Sequence, residues 1–185
     1  MTNSNTCSHN KIVLDQGPQV MKISGFKSKI GIQNMKKVVI TGVSTGIGYA
    51  SAKILCNSGY IVYGSVRTNV DAERIARELG VNFHPLIFDV TDLQGILHGA
   101  RKVKSELIDE ECITGLVNNA GVAMGGPVTI IDTDVFRKQF DINFFGLIDV
   151  TKAFLPMLGA KNNSKRQGKI INISSVSGKR AHPFL

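Results

Sequence analysis

The sequence predicts an α/β fold, a doubly wound parallel sheet with helices packed on both of its faces. Two observations predict it. Short, nearly continuous apolar runs recur between residues 37 and 174, and segments with helical spacing of apolar residues lie between them. A parallel sheet covered on both faces buries both sides of its strands, so they read as unbroken apolar runs and not as an in/out alternation. Strand followed by helix, repeated, is the pattern of parallel crossover units. A third observation gives the sheet a use: the first run passes directly into a glycine-rich turn and then a helix, an arrangement suited to holding an anion.

The elements follow in order. Strands are predicted at Lys37–Thr41, Tyr60–Val66, Asn82–Phe88, Ile113–Asn118 and Lys169–Ser174. Ile47, Ala50, Ile54 and Leu55, spaced i, i+3, i+7, i+8, mark the apolar face of a first helix, and Ile75 and Leu79 mark a second. Leu93, Ile96, Leu97, Val103 and Leu107 mark a third, and a long fourth helix runs from Val135 to Leu158, ending near Pro156. Residues 1–34 show weak periodicity and the punctuators Gly17-Pro18, Gly25 and Gly31, and are expected to form a poorly ordered N-terminal extension to a single domain at 35–185. Met35 is an alternative start, ahead of the basic pair Lys36-Lys37.

Composition narrows the function. With 43% hydrophobic and 19% charged residues over 185 positions, the chain is expected to fold around a core and not to be disordered. No run approaches the roughly 20 apolar residues of a membrane span, and Met1–Asn10 lacks the apolar core of a secretory signal. Cys7, Cys56 and Cys112 form no close pair, as expected of reduced thiols in a cytoplasmic protein, and no metal site is expected. Cys56 is read as a small core residue. The net charge of +8 is scattered, densest at Lys161, Lys165, Arg166 and Lys169, with no interleaved aromatics. Nucleic acid is therefore not an expected partner, and part of the excess suits an anionic cofactor.

The chemistry concentrates in a few segments. Thr41-Gly42-Val43-Ser44-Thr45-Gly46-Ile47-Gly48 joins the first strand to the first helix. Glycines there let backbone approach a pyrophosphate, and the helix N-terminus offers N–H donors and a partial positive charge. Glycine at 48 would also let the helix pack close to the strand. Asn118-Asn119-Ala120-Gly121 closes the fourth strand, Asp89-Val90 closes the third, and Asn143 interrupts a helix in which asparagine is a middling former. At the end of the second strand, where dinucleotide folds that bind NAD carry an acidic residue on the ribose, stand Val66 and Arg67. A guanidinium can pair bidentately with a 2′-phosphate.

The T-G-x-x-x-G-I-G spacing, with N-N-A-G downstream, resembles the short-chain dehydrogenase/reductase family, NADP-preferring type, over most of the chain from about Met35 onward. The resemblance implies a Rossmann-type sheet and a carbonyl/alcohol oxidoreductase using NADP(H). It implies that Gly42, Ser44, Thr45, Gly46, Ile47 and Gly48 face the pyrophosphate, Arg67 the 2′-phosphate, and Asp89 and Val90 the adenine. Asn118, Asn119, Ala120 and Gly121 would steady the sheet and line the cofactor site. Asn143 would be the helix asparagine of the catalytic set, positioning a water in a proton relay. Ile171-Asn172-Ile173-Ser174-Ser175-Val176-Ser177-Gly178 resembles the catalytic-serine segment, with Ser175 at the catalytic position and Ser174 as the alternative register. The family's Y-x-x-x-K motif would begin beyond Leu185; the tyrosines present are Tyr49, Tyr60 and Tyr63, Lys179 has no tyrosine partner, and nothing places His182 at a substrate.

A tyrosine of pKa near 10 needs neighbouring positive charge to work as an acid near neutrality. The 185 residues are accordingly expected to bind cofactor and to be inactive, an incomplete sheet on the C-terminal side. The alternative is a catalytically silent NADP-binding or interaction protein. The expected partner is a small carbonyl or alcohol, with a homo-oligomer expected only of a completed chain. Ile170, Ile171 and Ile173 of the fifth strand are expected to expose apolar surface.

Overall fold

A computed structural model describes residues 35–108, 111–159 and 167–180. The predicted extension at 1–34, Cys7, the basic group at Lys161, Lys165 and Arg166, and His182 lie outside the described residues.

The order of elements is β1 (Lys37–Ile40), α1 (Gly46–Asn57), β2 (Ile61–Val66), α2 (Asn69–Leu79), β3 (Phe83–Ile87), α3 (Leu93–Ser105), β4 (Gly115–Asn118), α4 (Thr133–Phe140), α5 (Gly146–Phe154) and β5 (Lys169–Asn172). The five strands form one parallel sheet in the order β3-β2-β1-β4-β5. The chain starts in the middle, winds outward to β3, then crosses back to β4. The strand order therefore reverses between β1 and β4, and a crevice at the carboxyl ends of those strands is where such sheets bind ligands.

Alternate residues of each strand serve opposite layers. Val38 and Ile40 of β1, with Val62 and Val66 of β2, pack with Ala52 and Cys56 of α1 and Ala72 and Ile75 of α2. Val39, Tyr63, Leu86 and Leu116 pack on the other side with Ile96, Ala100 and Val103 of α3 and Val150 and Phe154 of α5. This two-sided burial is why the strands read as continuous apolar runs, and the doubly wound α/β sheet is the predicted one. Cys56 is buried, as expected.

Four features differ from the sequence reading. The apolar face assigned to the first helix is wrong in phase: Ile47 and Ile54 are about two-thirds exposed (64% and 65%), and the buried stripe is Gly48, Ala52 and Cys56. Small residues face the sheet because α1 lies too close to the glycine turn for branched ones. In α3 the buried face is Ile96, Gly99, Ala100 and Val103, while Leu93 is exposed and Leu107 lies past the helix end. The long fourth helix is continuous but not uniform, since a π-helical turn at Asp141–Phe145 separates α4 from α5, and α5 gives way to a 3₁₀ turn containing Pro156. Proline cannot donate to the ladder, which accounts for the stop. The strands are shorter than their apolar runs: Thr41 and Ile173 each donate a backbone N–H to β4, to the Val117 and Asn118 carbonyls, but lie one residue past the last paired positions, Ile40 with Val117 and Asn172 with Asn118.

The amino ends of the strands are held by polar contacts. Lys37, only 8% exposed, pairs with Glu111 and donates to the Glu106 carbonyl at 3.2 Å. Tyr63 hydroxyl donates to Glu106 Oε2 at 2.9 Å. Ile170, Ile171 and Ile173, in and just past edge strand β5, are 40%, 53% and 40% exposed.

Candidate active site

The glycine turn is fixed from two sides. Gly42 and Gly46 take positive φ (69° and 61°), conformations that disfavour any side chain. Thr41 Oγ1 accepts the backbone N–H groups of Asn119 and Ala120, both at 3.0 Å. The Asn119 Nδ2 group in turn donates to the Thr41 and Gly42 carbonyls, both at 2.9 Å. From the other side Ser65 of β2 accepts twice, its Oγ from Gly42 N–H and its carbonyl from Val43 N–H, each at 3.0 Å. The two predicted segments, the glycine turn and Asn118–Gly121, are thus one hydrogen-bonded unit across the strand-order reversal.

Gly48 shows why α1 sits where it does. A Cβ on Gly48 would land on the Gly42 carbonyl oxygen and on Asn119 Nδ2. Thr45 caps α1 with extended backbone but no side-chain hydrogen bond, and the first turn holds no acidic residue. The helices α2, α3 and α4 are capped by the side chains of Thr68, Asp92 and Asp132. The positive end of α1 is therefore left to an outside anion. Gly46 turns the side where a Cβ would stand toward open space. A phosphate fits that arrangement.

Around the turn, Val66 ends β2 fully inside the core at 2% exposure, and Arg67 follows it into solvent with no ion pair or hydrogen bond among the described residues. Asp89 Oδ1 accepts from Thr91 N–H at 2.9 Å and Thr91 hydroxyl at 2.8 Å, which shapes the turn after β3. Val90 is buried. It packs so close to Gly146 that a Cβ there would lie 2.7 Å from the Val90 carbonyl oxygen.

Asn118 is buried and ties β4 to its neighbours, Nδ2 donating to Thr151 Oγ1 at 3.0 Å and to Asn172 Oδ1 at 2.9 Å. Asn143 sits in the π turn, not in regular helix. Its Oδ1 accepts Val122 N–H at 2.9 Å and its Nδ2 donates to the Val122 carbonyl at 2.8 Å, so the amide pairs like a strand with the loop after Gly121. Single π turns inside helices are frequent at functional sites. Ser175 lies beyond β5 and caps a 3₁₀ turn, its Oγ accepting Ser177 N–H at 3.1 Å.

Sequence reading missed Thr41, Ser65, Thr151, Asn172 and Arg74 as parts of the site. Thr41 and Ser65 carried a usable signal, since a hydroxyl within or at the end of a buried apolar strand needs a partner. Arg74, which reaches the turn from α2, carried only its helical spacing to Asp71 and Glu78. Among the described residues no three His, Cys, Asp or Glu side chains gather as metal ligands, and no helix is long and apolar enough to cross a membrane.

Comparison with known proteins agrees with this geometry. The NADPH-dependent 3-dehydrocapnine reductase of Ornithobacterium rhinotracheale is 36% identical over 151 residues, 82% of this chain and 53% of its own length. The 3-ketodihydrosphingosine reductase of Bacteroides thetaiotaomicron is 33% identical over 147 residues, 80% of this chain and 49% of its own. The chain spans about half the length of these curated relatives. Among solved structures, a variant of actinorhodin polyketide ketoreductase with NADPH superposes with a TM-score of 0.74 at 26% identity, covering 82% of this chain and 57% of the other. Serine dehydrogenase from Escherichia coli gives 0.70 at 28% identity, covering 79% and 65%. The family model for short chain dehydrogenase matches residues 36–185. A parallel sheet with this strand order, a glycine turn locked to Asn119, and that match together show that the chain belongs to the short-chain dehydrogenase family, whose members are oxidoreductases that use NAD(P).

Proposed function

We propose that the protein is a cytoplasmic NADP(H)-dependent oxidoreductase that moves hydride between cofactor and a carbonyl/alcohol pair. The observation that carries the cofactor choice is the end of β2, where buried Val66 stands at the position for a ribose-binding acid and Arg67 is exposed, with no hydrogen bond or close ion pair among the described residues. A relative and a solved structure named with NADPH point the same way. Gly42, Ser44, Thr45, Gly46, Ile47 and Gly48 hold the pyrophosphate at the positive end of α1. Arg67 pairs with the 2′-phosphate, Asp89 and Val90 meet the adenine, and Asn118 to Gly121 line the site.

When bound, the cofactor supplies or accepts hydride at the nicotinamide. Ser175 orients the substrate oxygen by hydrogen bonding. Asn143 holds the loop after Gly121 and with it the water of a proton relay. None of the three tyrosines is the acid. Tyr49 donates to Glu78 Oε2 at 2.6 Å, Tyr60 is bonded by Lys36, and Tyr63 donates to Glu106 Oε2 at 2.9 Å, so each phenol is engaged with a side chain outside Asn118–Gly121 and the segment after β5. That observation favours a second reading for the 185 residues taken alone, a cofactor-binding protein without turnover.

The test is NADPH oxidation with a carbonyl panel that includes 3-ketodihydrosphingosine and 3-dehydrocapnine, followed at the nicotinamide absorbance. The 185 residues are expected to bind NADPH and turn nothing over. A product read past Leu185 and supplying a tyrosine and lysine after Ser175 is expected to reduce a member of the panel and to lose that activity on Ser175→Ala. Turnover by the 185 residues alone, abolished by Ser175→Ala, would place the acid within them and contradict this assignment.

A further inference from the structure

The first turns of α2 carry a charge arrangement that the roles above leave unused. Thr68 Oγ1 accepts Asp71 N–H at 3.1 Å and donates to Asp71 Oδ2 at 2.9 Å. The other carboxylate oxygen, Oδ1, accepts from Arg74 Nη2 at 2.9 Å, and the same Nη2 donates to the Ser44 carbonyl of the glycine turn at 2.9 Å. Arg74 Nη1 reaches Glu78 Oε1 at 3.4 Å. Both oxygens of Asp71 are therefore engaged, and Arg74 is the basic side chain that bonds the glycine turn among the described residues.

Arg67 immediately precedes Thr68. The Asp71 carboxyl is held below the usual carboxylate range first by its bond to Arg74, then by Thr68, and to a lesser degree by the charges of Arg74 and Arg67. The two arginines thus act on one carboxylate, and Arg74 is the one that bonds it. Arg67 adjoins Thr68, whose hydroxyl bonds Asp71, so with Arg74 removed a guanidinium one residue from that hydroxyl is placed to compensate the carboxylate. A guanidinium drawn to a carboxylate of its own chain binds a phosphate less well, because the phosphate must then displace that carboxylate.

We propose that Arg74 is a positioning residue for cofactor selection: by occupying Asp71 while anchored on the Ser44 carbonyl, it leaves the Arg67 guanidinium for the adenosine 2′-phosphate. This rests on the assignment of Arg67 made above. It differs from a merely structural role in a measurable way. The Ser44 contact shapes the turn that meets the pyrophosphate, which NADPH and NADH share, so losing that contact alone weakens both cofactors alike. Losing the shield on Asp71 weakens only the cofactor that needs Arg67.

The experiment titrates NADPH and NADH onto the full chain as wild type, Arg74→Met, Asp71→Asn, and the double variant. Arg74→Met is expected to weaken NADPH about tenfold and NADH by no more than about twofold, the size expected for a compromised charge-assisted bond. Asp71→Asn in the same chain removes the competing charge and is expected to restore NADPH affinity, a rescue that no loss of folding would permit. Equal weakening of both cofactors, or no rescue by Asp71→Asn, overturns the proposal while leaving Arg67 in its role. A wild type that does not prefer NADPH overturns the Arg67 assignment and this proposal with it.

Discussion

Gly48→Ala is the substitution whose sign the structure decides against local propensity. Alanine is favoured over glycine inside a helix by about 1 kcal/mol, and Gly48 has no positive φ to protect it. By that measure alone the variant would be stabilised. The new methyl, however, would stand on the Gly42 carbonyl oxygen and on Asn119 Nδ2, and neither is the loose end of a flexible side chain. Overpacking of this kind costs about 1–3 kcal/mol. Displacing Asn119 also strains its two bonds to the Thr41 and Gly42 carbonyls, each worth about 0.5–1.5 kcal/mol. The net expectation is destabilisation by about 1–5 kcal/mol, a large part of the roughly 5–15 kcal/mol that holds a domain. Gly46→Ala is the control. It has φ 61° but opens onto empty space, so it loses about 1–2 kcal/mol to backbone strain without a clash. Urea unfolding followed by circular dichroism compares the two. A Gly48→Ala protein as stable as wild type, or more stable than Gly46→Ala, would refute the close packing of α1 on the turn.

Asn143→Ala removes both bonds between the π turn and Val122, and is expected to lower stability by about 1–3 kcal/mol, read as a shift in the urea midpoint at unchanged slope. Burial, and then its bond to Glu106, raise the Tyr63 phenol above its ordinary pKa. Its contribution is present below the unfolded pKa of about 10 and is lost as pH rises beyond that toward the folded value. Tyr63→Phe should flatten this part of the alkaline decline in unfolding midpoint, and an unchanged decline would show that the phenol does not couple to folding. With three isoleucines 40–53% exposed in and beside edge strand β5, the 185-residue chain is expected to elute as associated species, and Ile171→Lys to shift it toward monomer. A wild-type monomer with one sharp unfolding transition would contradict that expectation.

The sheet was legible because two-sided burial leaves a clear pattern: Val38 and Ile40 of β1 with Val62 and Val66 of β2 serve one layer, and Val39 and Tyr63 between them serve the other. The inward face of α1 was not, because hydrophobic periodicity follows large residues and this helix presents Gly48, Ala52 and Cys56 to the sheet. The π turn at Asp141–Phe145 leaves no periodic trace, although Asn143 marked the place. Of the site, the glycine turn and Asn118–Gly121 were readable as segments, and their mutual locking through Thr41 and Asn119 was not. Arg74 bonding Ser44, thirty residues away, depends on how α2 docks and has no local signature.

The most direct measurement is a pair of titrations, NADPH and NADH, on the wild type and on Arg67→Ala. Losing a charge-assisted pair costs about 1.5–3 kcal/mol, or roughly 10- to 100-fold in affinity. Wild type is predicted to bind NADPH more tightly than NADH, and Arg67→Ala to lose that factor for NADPH while leaving NADH nearly unchanged. Tighter binding of NADH by wild type, or equal weakening of both cofactors by the substitution, would contradict the assignment of NADP(H) as the cofactor.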